Sequence, residues 1–511
     1  MSDQSTPTPT RAGHRSAAEH AEGGLRRGRL GVVGIVFFVV AASAPLIGIT
    51  GAVPVAMLLG TGAAVPGAYL AVGLTLLLFS VGYATMSRHV TNSGAFFAYV
   101  GKGLGVNAGV ASAFAALLAY LTIQLAIYGF FGVVVSGFAS GLGVDAPWFV
   151  WSIGVWVLVS ALSLLSVDVG AKVLGVMLAL ELLVLLVAGI AMLANGGPEG
   201  WNLAASFSPT EVFAGGFAGT AGIALAFAFA SFIGFEATAI YGEEAKDPKR
   251  TVPIATYVSI GVISLLFAIV SFAMVTGMGA SQVVDQVLEL SGGLADPAGV
   301  LFGLTEQYVG GWLTLAMGVL VITSLFAGLL AFQNAAARYF FALGRGGVLP
   351  TAVARVNRAG APIMGVAITS AVALVVMVIF AIAQLDPFLN LFSWMSSVTV
   401  IAIVLVEILV SAAVIRYFMK HSGGSVWTTK IAPAASILAL GVGLYLLMSR
   451  FNLLAGTVPD GVDPSLPESA WALNGLGWFL VLAPFIALVI GYVVAVINKR
   501  ENEQLVKDFA S

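Results

Sequence analysis

Residues 30–59 read LGVVGIVFFVVAASAPLIGITGAVPVAMLL, without a charged side chain among them. About 20 apolar residues cross a bilayer as a helix, so the stretch is one membrane span with length to spare. It is interrupted at its middle by Ser43-Ala44-Pro45, with Gly48 and Gly51 just beyond. Pro45 has no backbone N–H, and its ring clashes with the preceding turn. The apolar run after Arg26, Arg27 and Arg29 is too long for a signal-peptide core and carries no convincing cleavage site, so it reads as a first span.

The same pattern repeats along the chain. Of 511 residues, 59% are hydrophobic and only 9% charged, against roughly 25% charged in a soluble domain. The expected class is an all-α polytopic membrane protein with twelve transmembrane helices. They are placed at 30–59, 63–86, 108–138, 147–167, 173–194, 217–242, 253–276, 311–341, 361–383, 388–414, 431–449 and 474–497. One transmembrane domain, 30–498, is expected between a disordered N-terminal tail, 1–29, and a short C-terminal tail, 499–511.

Charge sets the orientation. With the N-terminus inside, the inner loops carry Arg88, Lys102, Lys172, Lys246, Lys249, Arg250, Arg338, Arg345, Arg355, Arg358, Arg416, Lys420 and Lys430. The outer loops hold Arg450 alone among Lys and Arg, beside Asp145, Glu199, Glu211, Asp285, Glu289, Asp296, Glu306, Asp386, Asp460, Asp463 and Glu468. The positive-inside rule therefore puts both termini in the cytoplasm and the chain in the cytoplasmic membrane.

Composition also excludes chemistries. A net charge of −2 with no basic stripe outside short loops argues against a nucleic-acid partner. The absence of cysteine removes disulfides, thiolate nucleophiles and cysteine metal sites. His14, His20, His89 and His421 lie in the tail or at span ends, so no catalytic residue, metal centre or cofactor is expected. The expected partners are membrane lipid, a small-molecule substrate and a coupling ion, H+ or Na+.

A second interruption lies five spans after the first, at Ser231-Phe232-Ile233-Gly234-Phe235-Glu236. Breaks at matching depth in two five-helix halves indicate an internal repeat and a midplane site, because unwound backbone in a membrane is tolerated only where it lines a cavity or is buried in protein. The competing reading of either break is a kinked packing helix.

The residues from Phe232 through Glu236 to Pro253, FIGFEATAIYGEEAKDPKRTVP, resemble the sixth helix and following loop of the amino acid, polyamine and organocation transporter superfamily. Residues 92–105, NSGAFFAYVGKGLG, and 334–350, with Arg338, Arg345 and Gly347, agree with that family. The resemblance covers nearly the whole membrane region. It implies a five-plus-five inverted repeat like the leucine-transporter fold, with the last two helices outside the repeat. It also implies substrate binding at the first break (Ser43, Ala44, Pro45) and the second (Phe232, Ile233, Gly234, Phe235), with Ala119, Tyr120, Gln124 and Ile127 on positions that line the site in the arginine/agmatine antiporter branch. Departures are informative. Glycines usual in the first break are replaced by Ser43-Ala44-Pro45, a proline shared with the putrescine-importer branch. The gating aromatic of the antiporter branch is Ala230 here.

Three acids lie inside spans, Glu181, Glu236 and Glu407, and an intramembrane acid carries a functional expectation by default. Glu236 is expected to couple proton movement or to tie helices together; the alternative is a neutral acid bonded to backbone. Glu181 stands near the family's lysine that fills a sodium position, and is read as a proton or cation carrier or a packing group. Glu407 is read as structural, reaching the interface or a polar loop near Arg416. Thr323 and Ser324 are candidate sodium ligands, or helix glue. Tyr120, Gln124 and Tyr128 share one helix face at i, i+4 and i+8 and read as pocket or packing. Phe235 or Phe332 is expected to close over substrate, and Ser393, Ser396 and Ser397 are further candidates. The leading expectation is a secondary transporter of amino acids or related small amines, proton-coupled and working by alternating access. A polyamine importer, a sodium symporter and a non-transporting substrate sensor are the alternatives.

Overall fold

The computed structural model describes residues 31–90, 95–165, 171–236, 238 and 245–498. Outside them fall the expected tails at 1–29 and 499–511 with Arg26, Arg27, Arg29, His14 and His20, the side chain of Lys172, and residues 92–94, 237 and 239–244 of the family motifs. The described residues are helical apart from loops and an isolated β-bridge between Val356 and Pro362.

Fourteen helices carry the fold. They are α1 (Val32–Ala42); α2, a continuous run of Pro45–Ile47, Gly48–Ala52, Val53–Val55 and Ala56–Thr61; α3 (Val65–Ser87); α4 (Ala95–Leu104); α5 (Val106–Ser140); α6 (Trp148–Leu164); and α7 (Ala171–Asn195). Then follow α8 (Ala221–Phe232), α9 (Pro248–Met278), α10 (Gly311–Arg345), α11 (Ile363–Ile382), α12 (Ser393–Lys420), α13 (Ala432–Ser449) and α14 (Gly475–Ile497). Among the described residues nine helical segments are long and apolar enough to cross a membrane, the first being the whole Val32–Ser87 run. That run turns at Gly60, whose φ of −100° and ψ of −115° are not helical. α6 and α8 are apolar but shorter than the expected spans; α8 is cut at both ends, by a 3-10 turn at Gly216–Ala218 and by the second break. α9 starts at Pro248 rather than at 253, because proline in a first turn sacrifices no intrahelical bond.

Side chains close the loops at two ends. At one, Asn498 donates to Val348 C=O at 3.0 Å and Asn357 to Leu164 C=O at 2.6 Å. This end carries the described Lys and Arg apart from Arg450. At the other, Thr220 donates to Gly60 C=O at 2.6 Å, and Ser281 donates to Glu199 through both its N–H and its hydroxyl, holding that carboxyl below its ordinary pKa. Arg450 also lies here, with 1% of its surface exposed and its guanidinium spent on the carbonyls of Ala218, Pro464 and Leu466. These are the basic and acidic ends below.

Two helix groups meet between them. α1, α3, α8 and α9 pack on one another, most closely α3 on α9. α5 is wrapped by α4, α10, α12 and α14. α5 and α12 run antiparallel, with Gly129 against Leu391 and Thr122 Oγ1 2.7 Å from Thr399 Oγ1. α5 and α10 have 35 residues each, about 52 Å at 1.5 Å per residue, and so tilt within or protrude from a hydrocarbon layer of ~30 Å.

Both breaks belong to the first group and touch. α1 ends as Ser43 N–H and Ala44 N–H bond back to Val39 and Ala41. Ala44 then takes left-handed φ +42°, and Pro45 opens α2 at N1. α8 stops at Phe232, Ile233 turns out of the helix (ψ 129°), and Gly234 has φ +112°. A Cβ on Gly234 would lie 2.9 Å from the Cβ of Ala42. Glycine is therefore required twice over, for the dihedral and for the approach of the two chains. Gly234→Ala is expected to cost about 1–3 kcal/mol through strain alone, seen as a lower melting temperature in detergent. An unchanged melting temperature would show that the breaks do not touch.

Candidate functional site

The touching breaks leave a cavity of about 60 Å³ beside them, room for several waters. From the first break it is lined by Ala42, Ser43, Ala44, Ile47, Gly48 and Ala52, and from the second by Ala230, Ser231 and Ile233. The second helix group supplies Ile123 and Ile127 of α5, Gly328 and Phe332 of α10, Phe392 of the Pro387–Phe392 turn, and Ser396 of α12. The site thus lies at the seam between the groups. Its walls are mainly apolar, and none of the described residues lining them is charged.

Polar groups at the seam are few. Ser43 Oγ bonds back to Val40 C=O at 2.8 Å, and Ser231 Oγ to Phe227 C=O at 2.9 Å, with Tyr69 OH 3.1 Å away. The Ser396 hydroxyl is buried and meets no partner among the described residues. Helix termini add dipoles. α1 and α8 end at the cavity with their negative poles, and α2 begins there with its positive pole. Such an arrangement suits a small zwitterion, with its ammonium towards the helix ends and its carboxylate towards the helix start.

Glu236 lies just behind the wall. Its Oε2 accepts from Gly234 N–H at 2.8 Å, its Oε1 from Tyr120 OH at 2.9 Å, and its backbone carbonyl from Tyr83 OH at 2.9 Å. It is buried, and its bond to Tyr120 crosses from one helix group to the other. Glu181 on α7 is also buried and lies against Leu46 N–H, the free amide that follows Pro45, and the Ser324 hydroxyl. Thr323 turns away, bonding Leu320 C=O at 3.0 Å. Ser324 alone of that pair faces the first break.

Of the residues singled out from sequence, Ser43, Ala44, Ile127, Ile233, Phe332 and Ser396 come together in the cavity. Pro45, Ala119, Tyr120, Gln124, Tyr128, Phe232, Gly234 and Phe235 are not among its walls. Gln124 donates to Gln333, which donates on to Ser370 at 2.7 Å, so it fastens α5 to α10 and α11. Tyr128 is fully buried and its backbone carbonyl accepts from Ser152 at 2.8 Å, tying α5 to α6. Ala119 C=O accepts weakly from Thr399 at 3.4 Å. Phe235 packs among Phe79, Tyr83 and Phe96, and Phe232 C=O is taken by Phe235 N–H. Ser393 and Ser397 bond to backbone carbonyls of Phe388 and Ser393. Glu407, read as a structural residue that reaches the interface or a polar loop, is 2% exposed inside the helix packing.

The sequence reading missed Ile47, Ile123, Phe392 and the small residues Ala42, Gly48, Ala52 and Gly328. At 100° per residue, Ile123 and Ile127 are centred roughly 80° around α5 from the Tyr120–Gln124–Tyr128 stripe. The polar stripe drew attention because it needs partners; the cavity lies on the blander face.

Comparison with known proteins supplies the remaining identification. The amino acid permease family model matches residues 30–467. The branched-chain amino acid permease BcaP of Lactococcus lactis is 31% identical over 196 residues, 38% of this chain and 38% of that protein. BcaP of Bacillus subtilis is 25% identical over 329 residues, 59% of this chain and 65% of that protein. An uncharacterized transporter of Mycobacterium tuberculosis is 25% identical over 413 residues, 74% and 79% of the respective chains. The matched stretch thus spans less than two-thirds of either branched-chain permease. The family match, over most of the chain, agrees with long apolar helices broken at one shared cavity: the chain is an integral membrane transporter and belongs to the amino acid permease family.

Proposed function

We propose that the chain carries a neutral, apolar α-amino acid across the cytoplasmic membrane, by proton-coupled uptake or exchange, as one helix group rocks against the other around the cavity. The observation that carries this reading is the cavity itself, an apolar chamber at two helix breaks with dipoles for a zwitterion and no described charge in its walls. A long diamine would need a second acceptor, which these walls lack, and an acidic side chain would need a cation. The relatives named as branched-chain amino acid permeases point the same way.

The fold reading that accompanies it counts α1 with α2 as one span, then α3, α5, α6, α7, the α8 break, and α9 to α14. That makes twelve spans, ten of them in a five-plus-five inverted repeat, with both termini cytoplasmic at the basic end. Glu236 is the proton carrier of first choice, because it grips the second break through Gly234 N–H while Tyr120 holds it from the opposing group. Glu181 is the second, since it sits at the Leu46 amide that a substrate carboxylate would approach.

A ligand that binds the native state raises its apparent stability. In detergent, leucine, isoleucine or valine is therefore expected to raise the melting temperature, and arginine, glutamate and putrescine to leave it unchanged; stabilisation by putrescine alone would replace this reading with a polyamine carrier. Ser396→Ala removes a hydroxyl whose bond to substrate is worth about 0.5–1.5 kcal/mol. Binding should then weaken about 2- to 13-fold by calorimetry, and equal affinity would remove Ser396 from the site. In proteoliposomes Glu236→Gln is expected to abolish pH-gradient-driven accumulation, while replacing sodium by choline leaves wild-type uptake intact. Sodium-dependent uptake, or undiminished accumulation in the variant, would refute the coupling assigned here.

A further inference from the structure

A second cavity, of about 330 Å³, lies at the acidic end and is larger than the one at the breaks, about 60 Å³. Three helices each turn one face to it: α5 at 134, 137 and 138, α10 at 311, 314, 315 and 318, and the outer helix Ala298–Tyr308 at 302 and 306. Those positions recur at i, i+3, i+4 and i+7, the spacing of a single helix face. α5 and α10 line both cavities. From Ile127 to Phe138 on α5, and from Gly328 to Gly318 on α10, the separation along the helix is about 15–17 Å at 1.5 Å per residue. The two cavities are therefore distinct places on one pair of helices.

Glycine keeps the outer cavity open. A Cβ on Gly318 would meet nothing nearer than the Phe138 ring at 3.5 Å, and one on Gly137 nothing nearer than Asp296 Oδ2 at 3.7 Å. Side chains would fit at both positions, and they would fill the space. The walls set Val134, Phe138, Phe302 and Leu315 around two acids, Asp296 and Glu306, and no lysine, arginine or histidine is among the described residues that line them.

The two acids differ. The Glu306 carboxyl lies over Gly311, with both oxygens within 3.3 Å of where a Cβ would stand; that is the start of α10, whose positive pole it answers. Asp296 is short of partners. Its Oδ2 lies over Gly137 and Gly299, beside the Ala298 and Gly299 amides, but its Oδ1 is buried and meets no donor among the described residues. Burial outweighs those amides and pushes the carboxyl above its ordinary pKa. A buried acceptor without a donor is costly, and this one belongs to the wall of a cavity with room for a small organic molecule.

We propose that the outer cavity is a second binding site, which takes a monovalent organic ammonium ion on an apolar body, with Asp296 receiving its N–H and Phe138 and Phe302 facing its charge and carbon frame. An ammonium brings donors and no acceptor, and aromatic faces attract a cation. Related ligands fit less well. A free α-amino acid would carry its own carboxylate in among two acids, with no base to receive it. A diamine would carry a second charge, and Glu306 already answers the start of α10. The site thus stands apart from the substrate reading above.

The test titrates phenethylamine into the full-length protein in detergent by calorimetry. Wild type is expected to bind it, and to bind phenethyl alcohol, the same body without the charge, about tenfold or more weakly. Asp296→Asn keeps the shape and removes the charge, and is expected to weaken the amine about tenfold or more. Gly137→Leu fills the cavity from α5 and is expected to abolish amine binding while leucine affinity stays within about twofold of wild type. Saturating leucine is expected to leave the amine's affinity within about twofold. Absence of binding to wild type overturns the site, and so does equal affinity in Asp296→Asn. Should that variant not fold, Gly137→Leu decides, and undiminished binding there overturns the site. Amine binding abolished by leucine would put the amine in the cavity at the breaks and overturn the proposal. If leucine itself fails to bind, the substrate reading falls, and the Asp296 and Gly137 variants still decide this one.

Discussion

Backbone that leaves the helix inside an apolar interior strands N–H and C=O groups where no water can take them, and this constraint organises the molecule. At the first break Pro45 brings no N–H, Ala44 C=O accepts from both Ile47 and Gly48, and the Leu46 amide faces Glu181. At the second, Gly234 N–H is taken by the Glu236 side chain and Glu236 C=O by Tyr83. The breaks survive because side chains from neighbouring helices stand in for the missing helical bonds. The Glu236 carboxyl is thereby tied to the backbone geometry of the chain that walls the cavity.

The division into two helix groups follows from how polarity is distributed. Within the second group and onto the adjoining α6 and α11, polar side chains fasten helix to helix: Thr122 to Thr399, Gln124 to Gln333 and on to Ser370, and Ser370 to Ser160 at 2.9 Å. Across the seam the cavity offers chiefly apolar contact, with the Tyr120–Glu236 bond behind it. Apolar surfaces slide and repack without a fixed geometry to break, whereas hydrogen-bonded ones hold register. Hydrogen-bonded packing around α5 and chiefly apolar contact across the seam are thus written in the same set of side chains.

Much of this was legible in the sequence. Long charge-free runs located the helices, and Pro45 and Gly234 marked the breaks, because each disobeys a local rule with no local compensation. Ser43, Ala44 and Ile233 followed from the breaks. What the sequence could not show was rotation about α5, which exchanges Gln124 for Ile123 at the cavity, since a polar stripe satisfied by Gln333 and Ser370 looks the same as one awaiting a ligand. Nor could it show that Glu407 is covered, because burial there is supplied by α4 and α5, remote in sequence. The short helices Ala95–Leu104, Val283–Leu290 and Ala298–Tyr308 escaped for another reason: hydropathy windows of span length average such segments away.

Arg450 carries a consequence beyond the packing it performs. Among the described residues it is the one lysine or arginine in the loops of the acidic end, and its guanidinium is consumed by three carbonyls. The exposed carboxylates there, Glu199, Glu211, Asp285, Glu289, Asp460 and Asp463 among them, therefore have no mobile counter-charge of the protein's own. Ser281 and Ser465 hold Glu199 and Asp463 below their ordinary pKa. A rim of fixed negative charge concentrates hydronium and other cations over bulk solution and thins out anions. The acidic end therefore stands under a layer of solution more acidic than the medium around it.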